Sequence, residues 1–328
     1  MKRKKEKMSK KQFAETMAQE QELNRYFEEN LTMEVHAAIR EFVKTNDYTH
    51  YAIVLERPGV YALPALNVDF FYEGYKHGDS IESLSRTLAW NAMGAIMMPP
   101  PVNGVNGIPK KDFGVKLSAR VVSKRRNEKY LEDVPCRDVV PGITMFASVE
   151  IIVEDMDSWQ CRITNPMMKE MEYQPDELID EALMLSEEYY PPMLMTFSDG
   201  NAEGENLLEK EGYAMNDDSM YILTTNRFQL GAVALFYPGV AEKIAEMAGG
   251  NFYAIPSSVH EFIILPESDK YSEEELQAML ESGNREVVSE DDILSDTIYV
   301  YDRHLGLLLS CSEYSGMCGT EFCENMWC

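Results

Sequence analysis

"NFYAIPSSVHEFIILP" (residues 251–266) holds two apolar runs, "NFYAI" and "HEFIIL", around a polar knot of Ser257, Ser258, His260 and Glu261. Two short β-rich runs joined by a few polar residues read as two strands and a turn. The knot admits two readings. In one it is a serine–histidine–acid site. In the other, Pro256 ends a strand, the serines turn the chain through side-chain-to-backbone hydrogen bonds, and His260 makes a half-buried hydrogen bond. Strand geometry favours the turn. Neighbours along an extended strand point to opposite faces, so Glu261 is badly placed to orient His260. Ser258 and His260 share a face but stand about 6.5–7 Å apart, beyond a hydrogen bond unless a bulge draws them together. No Gly-x-Ser-x-Gly elbow occurs in the chain. If a site forms, Asn226, Asp296 and His304 can supply its other walls, with Asp296 as the acid behind His260.

Upstream and downstream of the knot, strands and helices alternate. "MYILTT" and "GAVALFY" read as strands, and "GVAEKIAEMAGG" as a short helix stopped by glycine. "YSEEELQAMLES" reads as a helix opened by a Ser272/Glu275 capping box. "TIYVYD" and "LGLLLS" read as a hairpin across "RHLG". In "TTNRFQLGA", Asn226, Arg227 and Gly231 can cradle an anion, but a turn after a strand needs the same residues, and the turn is the preferred reading.

Earlier in the chain, "YAIVLE", "MFASVEIIVE" and "QCRIT" are strand-like, and "VKLSARVVS" fits strand or helix equally. Phe13, Met17, Leu23, Phe27, Leu31, Val35, Ile39 and Phe42 recur at helical spacing, with a break near Asn30 to Thr32. "NVDFFYEGYKHGDSIESLSRTLAWNAM" has helical spacing interrupted at Gly74 and Gly78, and its aromatics Phe70, Phe71, Tyr72, Tyr75 and Trp90 read as core. Residues 97–112 are rich in Pro and Gly and read as a loop, and residues 174–190 as a helix with Pro175 in its first turn. "FSDGNAEGEN" (197–206) reads as a linker or surface loop. The irregular mixture implies an α+β fold: mixed or antiparallel sheets with flanking helices, in two subdomains. The expected organisation is a basic, helical extension over 1–30, subdomains over 31–200 and 201–310, and a cysteine-bearing tail over 311–328.

Composition narrows the function classes. Apolar residues make up 45% of 328, enough for a sizeable core. The formal charge of −26 repels nucleic acid and anionic lipid over most of the surface. Basic runs in residues 1–11 and 110–137 leave nucleic-acid association as a second alternative, although self-docking onto acidic parts is the simpler reading. No apolar run is long enough to span a membrane, and no apolar stretch follows the basic start, so a cytoplasmic protein with reduced thiols is expected. Cys311, Cys318, Cys323 and Cys328 lack a tight C-x2-4-C pair, and no HExxH or HxH pattern occurs. The expectation is therefore no metal and no cofactor, with the cysteines on a floppy acidic tail.

Several segments carry a resemblance, in this order: "ALNVDFFYEGYKHGDSIESL" with Tyr72 and Tyr75; "RRNEKYLEDVPCRD" with Asn127, Leu131, Val134 and Pro135; "ITNPMMKEMEYQPDELIDEA"; the run from "YILTTNRFQLG" through "PSSVHEFIILP"; and "ILSDTIYVYD". Together they resemble an uncharacterised bacterial family, domain of unknown function 5688, from about residue 30 to 304. The chain departs from the family pattern at Pro141-Gly142-Ile143. The family has no established activity, so the resemblance implies architecture rather than chemistry. The residues themselves favour a binding or regulatory module that recognises a protein or small ligand near "PSSVHE". The alternative is a hydrolase-like enzyme using Ser257 or Ser258 with His260 and an acid.

Overall fold

The computed structural model describes residues 8–19, 36–56, 65–97, 115–151, 159–198, 201–268 and 270–319. The chain divides into two compact units: residues 1–44 with 48–113, and residues 45–47 with 114–328.

In the first unit, helix α1 (Lys10–Gln19) buries Phe13, Ala14, Met17 and Ala18, which fall on one face at helical spacing. Strands β1 (His36–Val43) and β2 (Thr49–Glu56) pair antiparallel along their whole length, from His36 opposite Glu56 to Val43 opposite Thr49. β3 (Ala65–Asn67) adds a third strand beside β2. The strand over 36–43 corrects the helix expected through Ile39 and Phe42. An eight-residue partner satisfies its backbone, and Ala37, Ile39 and Val43 also fit a two-residue period. The expected Leu23, Phe27, Leu31 and Val35 positions lie outside the described residues, as does nearly all of the 97–112 loop.

Helices α2 (Asp69–His77) and α3 (Ile81–Met97) follow, split at Gly78 as the spacing implies. Phe13, Met17, Ile53, Val68, Phe71, Leu84 and Leu88 form the core of this unit. Phe13 lies 5.4 Å from the Tyr72 ring and 5.2 Å from the Tyr75 ring. Phe70 and Trp90 were expected in the core but are 76% and 74% exposed, because both fall on helix faces turned away from these contacts.

The second unit contains two sheets. β4 (Val115–Ser123), β5 (Cys136–Val140), β6 (Ile143–Ile151) and β7 (Trp159–Arg162) form the first: β6 pairs β4 on one edge and β5, then β7, on the other. Short helix α4 (Asn165–Glu170) leads to α5 (Pro175–Tyr189), which buries Leu178, Ile179, Ala182 and Ser186. Pro175 occupies its first turn, and Gln174 and Glu177 complete a capping box.

The second sheet has the order β14-β13-β11-β12-β10-β8-β9, with every pairing antiparallel. Its strands are β8 (Pro192–Ser198), β9 (Asn201–Glu203), β10 (Met220–Thr225), β11 (Phe252–Ser258), β12 (Glu261–Pro266), β13 (Tyr299–Asp302) and β14 (Leu307–Ser310). β8 and β9 are hydrogen-bonded neighbours, so Phe197, Ser198 and Asn201–Glu203 of the expected linker belong to paired strands. The compact units divide near residue 113.

Helix α6 (Val240–Ala248) ends at Gly249, whose φ of 72° makes a left-handed cap. Helix α7 (Glu273–Glu286) opens with the expected box: Ser272 N–H donates to Glu275 Oε2 at 2.9 Å, and Glu275 N–H to Ser272 Oγ at 3.2 Å. Helix α8 (Cys311–Gly319) replaces the start of the expected floppy tail, because Cys311 is buried against Leu276, Leu280, Ile298 and Val300. The fold is α+β with antiparallel sheets. Among the described residues, no helix is long and apolar enough to cross a membrane.

Candidate functional site

Val259 and His260 make the turn between β11 and β12, and the register shifts between Pro256 and Ser258. Ser258 Oγ accepts the His260 backbone N–H at 3.1 Å, and Ser257 Oγ donates to Glu261 Oε1 at 3.3 Å. Val259 is buried; its N–H donates to Asp292 O at 2.8 Å, and its carbonyl accepts from Ala232 N–H at 3.3 Å. The serines thus serve the turn, and among the described residues no serine hydroxyl is hydrogen-bonded to the imidazole.

His260 reaches across to the loop after β10. Its Nδ1 accepts the Leu230 N–H at 2.9 Å, and its carbonyl accepts from Thr224 Oγ1 at 2.8 Å. An acceptor Nδ1 puts the proton on Nε2 in the neutral ring. Nε2 lies 3.5 Å from Asp292 Oδ1. The acid behind His260 is therefore Asp292, not Asp296, which instead takes Arg125 at 2.8 Å, Arg126 at 3.2 Å and Asn284 at 3.0 Å. Asn226 is exposed, and its backbone N–H donates to Pro191 O. His304 is exposed in the turn between β13 and β14.

The loop that His260 holds, residues 226–231, has an unusual backbone. Phe228 and Leu230 have φ of 56° and 55°, a left-handed conformation that costs a non-glycine residue about 1–2 kcal/mol. Such residues persist where surroundings over-determine them, and they cluster at functional sites. Gly231 sits so close to its neighbours that a Cβ there would meet Thr224 Oγ1 at 2.2 Å, Thr225 N at 2.6 Å and His260 O at 2.8 Å. The chain then coils through a buried 3-10 turn, Gly231–Phe236, rather than the strand expected for "GAVALFY". An all-apolar run buried on every side carries no period to separate the two.

The loop forms one wall of a cavity of about 60 Å³ over β4 and β6, lined by Arg120, Glu150, Tyr190, Arg227, Leu230 and Tyr237. The β4–β6 register sets Lys116 opposite Glu150 and Ser118 opposite Ser148, so Lys116, Ser118, Arg120, Ser148 and Glu150 share one face. Glu150 is 2% exposed. Arg227 Nη1 holds both its oxygens, at 2.8 and 2.7 Å, and the Tyr190 hydroxyl donates to Oε2. The Arg227 guanidinium lies 4.8 Å from the Tyr190 ring centroid, and Lys116 Nζ 5.3 Å from the same ring.

Charge in this cavity is strongly perturbed. Burial lowers the Arg120 pKa, with the Arg227 charge adding to that and Tyr130, Glu150 and Tyr190 opposing it. Burial also acts against Arg227, but the hydrogen bond and charge of Glu150 outweigh it, and its pKa is raised. Burial, then the hydrogen bond to Glu150, pushes Tyr190 up to about 12. Burial, then the charge of Glu187, pushes Tyr237 upward. The Tyr237 hydroxyl is buried, with Ser186 as a weak partner. Its neighbour Ser186 already donates to Ala182 O and accepts the Ala119 N–H.

Arg227 in the loop, and Arg120 within the basic run of residues 110–137, were visible in the sequence as anion candidates; Glu150, Tyr190 and Tyr237 were not. The basic segment outside the cavity is largely self-paired among the described residues: Lys124 with Asp138 at 2.6 Å, Arg125 and Arg126 with Asp296, and Arg137 with Asp180 at 2.8 Å. Among the described residues, no group of three or more His, Cys, Asp or Glu stands together as a metal site.

Comparison with protein-family models matches residues 11–303 to a family of unknown function, DUF5688. Neither a curated protein nor a solved structure matches the chain. With the match spanning most of its length, the chain belongs to this family of unknown function.

Proposed function

We propose that this chain is a binding module for a small anionic molecule, held in the Arg120–Glu150–Arg227 cavity next to the PSSVHE turn. One observation carries the reading: two guanidiniums face one buried carboxylate in a cavity walled on one side by a loop with two left-handed non-glycine residues. Arg120 and Arg227 against Glu150 leave one positive charge in excess. Arg120 is half-buried, which favours an anion more strongly than a surface position does, while Arg227 is 36% exposed. Arg227 spends only Nη1 on Glu150. A guanidinium has five N–H donors, so the others lie outside that pair. The reading takes a cytoplasmic setting, supported by free thiols at Cys136, Cys161 and Cys311.

The test is retention of ligand. Wild type and Arg120→Met are incubated with a metabolite extract and desalted, and the released small molecules are identified by mass spectrometry. Arg120→Met removes the excess charge and leaves the Arg227–Glu150 pair intact. Anions enriched on wild type and absent from the variant support the reading. Equal recovery from both, or none from either, overturns it.

A further inference from the structure

We infer that the group bound in this cavity is a single carboxylate, seated between the Arg120 and Arg227 guanidiniums with the Tyr237 hydroxyl as an added donor. The inference rests on the anion reading above and sharpens it from any anion to one chemical class.

Charge is the first argument. Arg120, Arg227 and Glu150 sum to one positive charge, which a monoanion neutralises. A dianion would leave a net negative charge beside a carboxylate that is itself 2% exposed, and unpaired buried charge is costly. Lys116 Nζ lies 4.9 and 5.3 Å from the Tyr189 and Tyr190 ring centroids, and the charge of Glu187 beside Tyr237 offsets it.

Size is the second argument. A cavity of about 60 Å³ accommodates a flat three-atom carboxylate. The cavity is partly open, so the rest of an organic acid can remain outside.

Hydrogen bonding is the third. Tyr237 is 2% exposed, and its buried hydroxyl makes only a weak contact with Ser186. A poorly partnered buried hydroxyl is unfavourable, and an incoming carboxylate oxygen would satisfy it. Arg227 is fixed in plane by its stack on Tyr190 and its hold on Glu150, so its remaining donors are pre-oriented.

The experiment uses acetate and inorganic phosphate as probes on the full chain, at matched ionic strength, with chloride as the control. Thermal unfolding and calorimetric titration are read for wild type and Tyr237→Phe. Acetate is expected to raise the melting temperature of wild type in a saturable way, with phosphate no better than chloride. Tyr237→Phe is expected to weaken acetate binding about tenfold, the usual size of losing one hydrogen bond to a charged group. Its circular dichroism and ligand-free melting temperature show whether it folds, and Arg120→Met provides a second variant expected to abolish the response. A phosphate response equal to or larger than acetate overturns the carboxylate assignment. So does silence towards acetate; the metabolite-retention experiment then decides separately whether any anion is bound. An acetate response unchanged in Tyr237→Phe overturns the place given to that hydroxyl.

Discussion

The imidazole Nδ1 of His260 accepts the backbone N–H of Leu230 at 2.9 Å, and so ties the tip of one hairpin to the loop that carries Arg227. This bond makes the PSSVHE turn a brace for the cavity. Leu230 has φ of 55°, and its N–H has no place in a strand ladder. The histidine supplies the acceptor which that backbone needs.

His260→Ala removes the acceptor and is expected to cost about 1–3 kcal/mol, the range for leaving a partly buried donor unpaired. His260→Asn puts a carbonyl oxygen close to the position of Nδ1 and is expected to recover most of that loss. Urea unfolding of both variants measures the difference. Equal midpoints for the two would show that the Leu230 bond is not what His260 contributes.

Gly231→Ala is expected to be more damaging than the loss of one hydrogen bond. Its added methyl would stand 2.6 Å from Thr225 N and 2.8 Å from His260 O, both backbone atoms that cannot rotate away. Overpacking of this kind costs about 1–3 kcal/mol, more where the backbone must move. The movement falls on the loop bearing Arg227, so the variant should also lose the anion response. A folded Gly231→Ala with wild-type stability would contradict this.

Three tyrosines, the buried Tyr299 and the half-buried Tyr173 and Tyr190, set an alkaline limit on the fold. Burial pushes Tyr173, Tyr190 and Tyr299 up to about 12, helped by hydrogen bonds to Glu181 and Glu150 in the first two and by nearby acids in the third. An unfolded tyrosine ionises near 10.0. Between those values the unfolded state binds fewer protons than the folded one, so stability falls as pH rises. The contribution is whole below about pH 10 and lost towards about pH 12. Unfolding midpoints at about pH 9 and about pH 11 should therefore differ, with a smaller drop in Tyr190→Phe. An identical drop in that variant would remove Tyr190 from the account.

The hairpin around His260 was legible because short β-rich runs, a proline and polar turn residues all pointed the same way. The capping box at Ser272 and Glu275 was legible because its two partners are three residues apart. The strand "VKLSARVVS" was ambiguous although Lys116, Ser118 and Arg120 alternate with Leu117, Ala119 and Val121. A polar face in the interior defeats the rule that polar means outside, and this polar face is the floor of the cavity. The Glu150–Arg227 pair spans 77 residues. An ion pair imposes no local period, so spacing alone could not find it. The strict alternation of "KLSAR" was the one signal pointing to buried polar residues, and it was open to reading.

Asn127, in the segment "RRNEKYLEDVP", belongs to a second network within the larger unit, and its worth is measurable. It is wholly buried. Its Oδ1 accepts the Asn46 N–H at 2.6 Å, and its Nδ2 donates to Asn46 Oδ1 and to Ser123 O, both at 2.7 Å. Asn46 in turn donates to Glu290 O at 2.6 Å and Ile293 O at 3.0 Å, while Asp47 accepts the N–H groups of Lys129 and Tyr130. Asn46 and Asp47 both have positive φ, 56° and 53°, so this arrangement is held against a local preference. Removing the Asn127 amide leaves the Asn46 N–H and the Ser123 carbonyl without these partners. Asn127→Ala is therefore expected to cost about 3 kcal/mol, near the top of the range for an unsatisfied buried group, because more than one is exposed at once. Faster amide exchange at Asn46, Lys129 and Tyr130 should accompany the loss, since all three are held by the same cluster. A stability change under about 0.5 kcal/mol, the usual effect of a neutral surface substitution, would mean that the cluster relaxes onto other partners.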